Sequence, residues 1–169
     1  VHIVERRDHP CGNIFDSRNS EDVYVHHYGP HLFHTSDPNV INFIERYSDW
    51  VKYSHQVKAL LPCGRLTPLP VNYQTLIDIY QASSLQEALD RLHEDKNEAV
   101  SFISQHQNLV GTALGVFLLS YGRTVADTLF IPYTKKMWGV DPSSLEASIG
   151  KRLSLNDTFE SYYFNDAYQ

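Results

Sequence analysis

The sequence is poor in cysteine, methionine and tryptophan: two, one and two among 169 residues. Cys11 and Cys63 are too few for a disulfide framework, so a reducing, cytoplasmic setting is expected. Long apolar runs are missing. The longest, around Val110 to Leu119, is interrupted by Gly111 and Gly115 and is too short to span a bilayer, so no membrane partner is expected. No basic stretch followed by an apolar run opens the chain, which excludes a recognisable secretory signal. Repeats and low-complexity tracts are absent. Cations are scarce: Lys plus Arg number 14 against 20 Asp plus Glu, a net charge of −6. That excludes a general attraction for nucleic acid. There is no HExxH pattern, and no metal is expected. A Gly-x-Gly-x-x-Gly phosphate loop is also missing.

The remaining composition is that of a folded protein. The chain is 42% apolar and 20% charged, enough for one sizeable core or for one domain plus part of another. Val1 to Val4 form a β-branched-rich run closed by Glu5, which reads as a buried strand. The far end, Tyr162 to Gln169, is aromatic. Both ends read as core material, and a segment of a longer protein is expected. Val23 to His27 is a second extended candidate. Ser36 or Asp37 can cap a helix with Pro38 in its first turn and Val40, Ile41, Phe43, Ile44 and Tyr47 on its apolar face. Val51, Tyr53, His55 and Val57 alternate like a half-buried strand. Pro62-Cys63-Gly64 reads as a hairpin turn, with Arg65 to Leu69 returning. Ser84 and Glu87 form a capping-box pattern before a short helix containing Leu85, Ala88, Leu89 and Leu92. Asn97 to Phe130 is mostly helical, broken near Gly111, Gly115 and Gly122. Strands up to residue 70 and helices after 72 predict an α/β layer with an inserted helical lobe.

Four constellations can carry chemistry. The first is Glu5 with Arg6 and Arg7 at the end of the first strand. An acid there accepts hydrogen bonds from the ribose hydroxyls of a bound dinucleotide; the plain alternative is a solvated charge cluster on an edge strand. The second runs from Val25 to Thr35 and holds His26, His27, His31 and His34 around Tyr28-Gly29-Pro30. Such a loop suits a planar cofactor; metal coordination and ordinary loop hydrogen bonding are the alternatives. The third is Phe130 to Gly139, where Tyr133, Thr134 and Trp138 offer stacking faces and hydroxyls beside Lys135 and Lys136. That mixture suits a nucleotide, and equally a helix end whose Trp138 packs on the core. The fourth is Ser148 to Arg152, where Arg152 can grip a phosphate bidentately or sit in an ordinary basic turn.

In this order the segments resemble the UDP-galactopyranose mutase family of flavoenzymes. The resemblance rests on Val1 to Asn13, the His-Tyr-Gly-Pro-His-Leu-Phe-His-Thr run at 27–35, Leu69-Pro70-Val71-Asn72, Tyr133 to Gly139, and Tyr162 to Gln169. It implies a partial FAD-binding Rossmann-like domain of the α/β class with an inserted helical domain and a small sheet. Residues 1–70 would be part of the FAD-binding domain and small sheet. Residues 71–140 would be the helical substrate domain, and 141–169 a mobile loop returning toward the FAD domain.

The resemblance implies interconversion of UDP-galactopyranose and UDP-galactofuranose with reduced FAD, a step toward cell-surface polysaccharide. The flavin N5 would attack the anomeric carbon as UDP leaves. It implies FAD contacts from Glu5, Arg7, Gly12 and Asn13, with Gly29 and His31 near the isoalloxazine. It implies UDP-sugar contacts from His55, Leu129, Tyr133, Thr134, Trp138, Arg152 and Tyr163. His31 and Arg152 would be the catalytic pair, Arg152 closing over the diphosphate as charge grows on it. It also implies a homodimer at full length, and that this segment alone binds FAD poorly and is inactive, because pyrophosphate binding needs the missing glycine loop. The family usually has Gly-Gly-Asn where this chain has Cys11-Gly12-Asn13, and a Cβ at position 11 hinders close backbone approach if the position needs positive φ. Two other classes compete: a FAD-dependent oxidoreductase of the amine-oxidase type, and a His-rich metal-binding module.

Overall fold

The structure, a computed structural model, describes residues 2–151, 155–162 and 167–168. Its described residues divide into two compact units, one of residues 2–54 with 167–168, the other of residues 55–162. The first break lies at 54/55, ahead of the hairpin that the family resemblance assigns to residues 1–70.

In the first unit, a 3-10 turn at Gly12–Ile14 precedes β1 (Asp16–Arg18), which pairs antiparallel with β2 (Tyr24–His26). The connecting turn is made by Asn19, whose side-chain oxygen accepts from the amides of Glu21 and Val23. β3 (Phe33–His34) pairs antiparallel with β6 (Ala167–Tyr168). Helix α1 (Pro38–Ile44) starts where the cap residues predict: Asp37 accepts from the Asn39 amide, and Pro38 sits at the first helical position. The strand expected at 1–5 is not formed among the described residues. Ile3 and Val4 are 84% and 96% exposed, because an extended segment becomes a strand only where a partner accepts its hydrogen bonds. None of residues 2–54 is buried.

The second unit holds the core. The hairpin β4 (Val57–Leu60) and β5 (Leu66–Leu69) runs from Leu60↔Leu66 to Val57↔Leu69. The ladder ends there and Gln56 bridges instead to Tyr162, so the alternation at Val51 and Tyr53 forms no part of the hairpin. Helices α2 (Tyr73–Tyr80), α3 (Leu85–Gln105), α4 (Ala113–Val125), a π-helical turn (Ala126–Phe130), α5 (Ile131–Trp138) and the short α6 (Ala147–Gly150) follow. The Ser84 cap forms as the sequence predicts, its hydroxyl accepting from the Glu87 amide. The helix it opens is not short: it continues for 21 residues, because Ala88, Leu92, Ala99 and Ile103 keep one face buried. That face packs on α4, whose Phe117, Leu118 and Tyr121 are buried with Val125 and Phe130.

Gly115 does not break α4. It lies within the helix, and a Cβ there would strike the Leu109 carbonyl, so the glycine serves close packing. Gly122 does break it, at φ 73° and ψ 170°. Ala113–Trp138 is long and apolar enough to cross a bilayer by length and composition, but here it is interrupted at Gly122 and keeps Phe117, Leu118, Val125 and Phe130 in the core.

Candidate functional site

In the first unit four of the sequence-picked cofactor residues, Glu5, Arg7, Gly12 and Asn13, come together. The Glu5 carboxylate accepts from the Arg7 amide at 3.0 Å, which holds its pKa below the usual carboxylate value. It is ionised at neutral pH and exposed, as an acceptor for hydroxyl donors must be. The Arg7 guanidinium donates to Asn13 Oδ1 at 2.7 Å and lies 4.6 Å from the Tyr28 ring centroid. Gly12 is in the same cluster, since a Cβ there would stand 3.9 Å from Arg7. His9 ties the next layer: it hydrogen bonds to the Tyr28 hydroxyl at 2.7 Å and stacks on Phe15 at 3.9 Å. The backbone turns left-handed at Cys11 (φ 75°) and Gly12 (φ 57°), so position 11 does carry a side chain at positive φ.

Gly29 is exposed at φ 97°. His31 is half-buried, its ring stacked on His26 at 3.8 Å. The His31 amide donates to His26 Nδ1 at 3.3 Å, which places the His26 proton on Nε2 when that ring is neutral. His31 Nε2 stands 3.8 Å from Asp16 Oδ2, and its buried Nδ1 has no hydrogen-bond partner among the described residues. Asp16 escaped the sequence reading, and His26 appeared there only as one of four histidines in the loop. Asp16↔His26 is a hairpin register pair, and nothing in the local sequence displays that register. One ligand atom each from Asp16, His26 and His31 lie within 4.8 Å of one another. Near-parallel stacked rings send their lone pairs side by side, whereas tetrahedral coordination needs them to converge.

The residues picked for a sugar nucleotide lie in the second unit. Helix α5 places Tyr133 and Trp138 at the surface, 52% and 49% exposed, whereas Thr134 is buried. The Thr134 side chain faces the interior, so of the three only the two aromatic rings are open to a ligand. Leu129 is half-buried on the π-helical turn that feeds α5. His55 is half-buried beside Gln56, which bridges to Tyr162. Arg152 and Tyr163 lie outside the described residues.

The cation pair on α5 is not uniformly available. Lys135 is bound to Asp141 at 2.9 Å, and this pairing, with donors from Ser143, lowers Asp141 to about 2. Asp141 also caps the 3-10 turn Pro142–Ser144, so Lys135 pins the chain beyond α5. Leu69-Pro70-Val71-Asn72 is likewise structural. Asn72 is fully buried: it caps α2 through Thr75 and donates to the carbonyls of Phe159 and Glu160. The Val71 carbonyl accepts from the Asn156 amide. The motif therefore fastens residues 155–160 to the start of α2.

The comparisons with known proteins bear on both units. Residues 128–169 match the family model described as UDP-galactopyranose mutase. Residues 1–47 match the model of an NAD(P)-binding Rossmann-like domain. Over the whole chain, the sequence is 35% identical to a probable UDP-galactopyranose mutase of Klebsiella pneumoniae. Over its full length the chain is similar to the UDP-galactopyranose mutases. It spans 42% of the length of the Klebsiella mutase. A dTDP-fucopyranose mutase of Escherichia coli is 32% identical over the whole chain, which covers 43% of it. The UDP-galactopyranose mutase of Mycoplasma genitalium is 28% identical over 99% of the chain, which covers 41% of it. The Rossmann-like match, with small sheets and helices in one chain, agrees with the expected partial α/β class.

Proposed function

We propose that this chain carries the adenosine side of a FAD site and the sugar-nucleotide lobe of a mutase that interconverts UDP-galactopyranose and UDP-galactofuranose. The observation that carries this reading is the match of residues 1–47 and 128–169 to two family models in one chain whose full length aligns with part of the Klebsiella protein.

The residues present suit the cofactor. Glu5 is an exposed ionised acceptor for ribose hydroxyls, and the left-handed turn at Cys11–Gly12 presents backbone beside Arg7. The partnerless Nδ1 of His31 is a polar atom that a bound heterocycle can satisfy. When bound, reduced FAD supplies a nucleophilic nitrogen that no side chain here replaces. Glu5 and Arg7 then hold and orient it, while His31 holds a proton at the Nδ1 or Nε2 edge. Tyr133 and Trp138 stack on the nucleotide, and Arg152 neutralises the diphosphate as it leaves.

The sugar and base are the finer part of the proposal. Because one relative is a dTDP-fucopyranose mutase, the assay should offer both nucleotide sugars. Expressed to the length of the relatives, the protein should convert UDP-galactofuranose to the pyranose with dithionite-reduced FAD. Oxidation of an amine substrate with no turnover of either nucleotide sugar would favour the amine-oxidase alternative. The Asp16–His26–His31 cluster is the one observation favouring the metal-module reading. Zinc titration followed by metal analysis after desalting separates it: stoichiometric retained zinc without flavin absorbance would replace the present proposal.

A further inference from the structure

Helix α4 stops and restarts at Gly122. Its φ of 73° and ψ of 170° make it the cap residue of a new helical segment that runs through the π-helical turn into α5. The first amides of any helix lack intrahelical acceptors, and a capping side chain usually satisfies one of them. Glycine has no such side chain. The acceptor comes instead from α3: Asp95 Oδ2 takes the Thr124 amide at 2.8 Å, across 29 residues of sequence. The same oxygen accepts the Tyr80 hydroxyl at 2.9 Å. Burial and the Asp95 charge push the Tyr80 pKa upward, which keeps that hydroxyl a donor at all ordinary pH. The negative charge also sits at the positive end of the new segment's dipole. The space is made for it: a Cβ on Gly122 would lie 2.8 Å from Asp95 Cβ and Oδ2.

We propose that Asp95 is a positioning residue: capping the restarted helix in trans, it sets where the π-helical turn and α5 present Leu129, Tyr133 and Trp138 to the sugar nucleotide. The placement of those side chains rests on the function proposed above; the capping itself does not. Asp95 touches no substrate. It acts through the Thr124 amide, and the effect passes along one continuous segment, 123–138.

Two variants and two readouts test this. Asp95→Ala removes the acceptor, whereas Asp95→Asn keeps an oxygen for both donors. By hydrogen exchange, amides of 124–138 in Asp95→Ala should exchange about two- to thirtyfold faster, the range a lost cap spans, with α3 and the first half of α4 little changed. In the mutase assay the same variant should raise KM by a similar factor with kcat within about twofold, and Asp95→Asn should restore both. Unchanged exchange over 124–138, or equal acceleration throughout α3 and α4, would overturn the proposal. A fall in kcat at constant KM would overturn its link to the nucleotide. If the wild-type protein turns over no sugar nucleotide, the proposed function fails, and exchange alone still decides the role of Asp95.

Discussion

Cys11 carries a Cβ at a backbone position, φ 75°, that L-residues other than glycine adopt at a cost of roughly 1–2 kcal/mol. Glycine removes that cost but adds entropy to the unfolded chain, about 0.4–1 kcal/mol in the other direction. Cys11→Gly should therefore stabilise the protein by about 0.5–1 kcal/mol, read as a shift of the urea midpoint without a change in slope. A loss of stability would mean that the left-handed turn is not present. Asp141 makes a different prediction. Its carboxyl titrates lower in the folded chain than its ordinary value of 3.8, chiefly because of Lys135. The pair therefore stabilises above about pH 4, and that contribution disappears as the pH falls toward 2. Both side chains are about half exposed, so solvent limits it to less than ~1 kcal/mol. Asp141→Asn should lower stability slightly at pH 7 and flatten its decline between pH 4 and 2. An unaltered acid limb would show that Lys135 is not its partner in solution.

Among the elements, the ones written in local chemistry were legible. The Asp37–Pro38 helix start, the hairpin around Gly64 and the Ser84 cap each depend on residues within four positions of one another, and each forms. Elements that depend on distant partners were not. The first strand fails among the described residues because strand pairing is a property of two segments, and the continuous α3 is explained only by the α4 face it covers. The roles of Asn72 and Asp95 were hidden for the same reason: their partners lie 87 or 88 and 29 residues away. Asn72 yields a prediction at this scale. Truncation to Ala removes a helix cap and both hydrogen bonds to the Phe159 and Glu160 carbonyls, so Asn72→Ala should cost about 2–4 kcal/mol. Hydrogen exchange should show the loss at the Asn156 amide and in the first turn of α2. A cost below 1 kcal/mol would mean the 155–160 segment is held by something else.

Across the whole molecule, stability is unevenly divided. Every buried residue among those described lies in the second unit, which holds α2 to α5. Amides of residues 2–54 should exchange at low opening free energy, while those of α3 and α4 approach the global value. Equal protection in both units would contradict this division. Of the residues picked from the sequence, Glu5, Arg7, Gly12 and Asn13 lie together and Tyr133 and Trp138 are exposed, whereas Thr134 is buried and Lys135 is paired, because one face of α5 packs inward and its end is pinned by Asp141. The net charge of −6 does not describe the ligand, since cations such as Arg7 and Lys136 sit locally within an acidic chain. The central proposal is that one chain carries both a flavin-binding segment and a sugar-nucleotide helix. Its most direct test is turnover of UDP-galactofuranose by the protein expressed to the length of its relatives, with dithionite-reduced FAD. Formation of UDP-galactopyranose is the predicted result; no isomerisation by a flavin-loaded, reduced protein would contradict it.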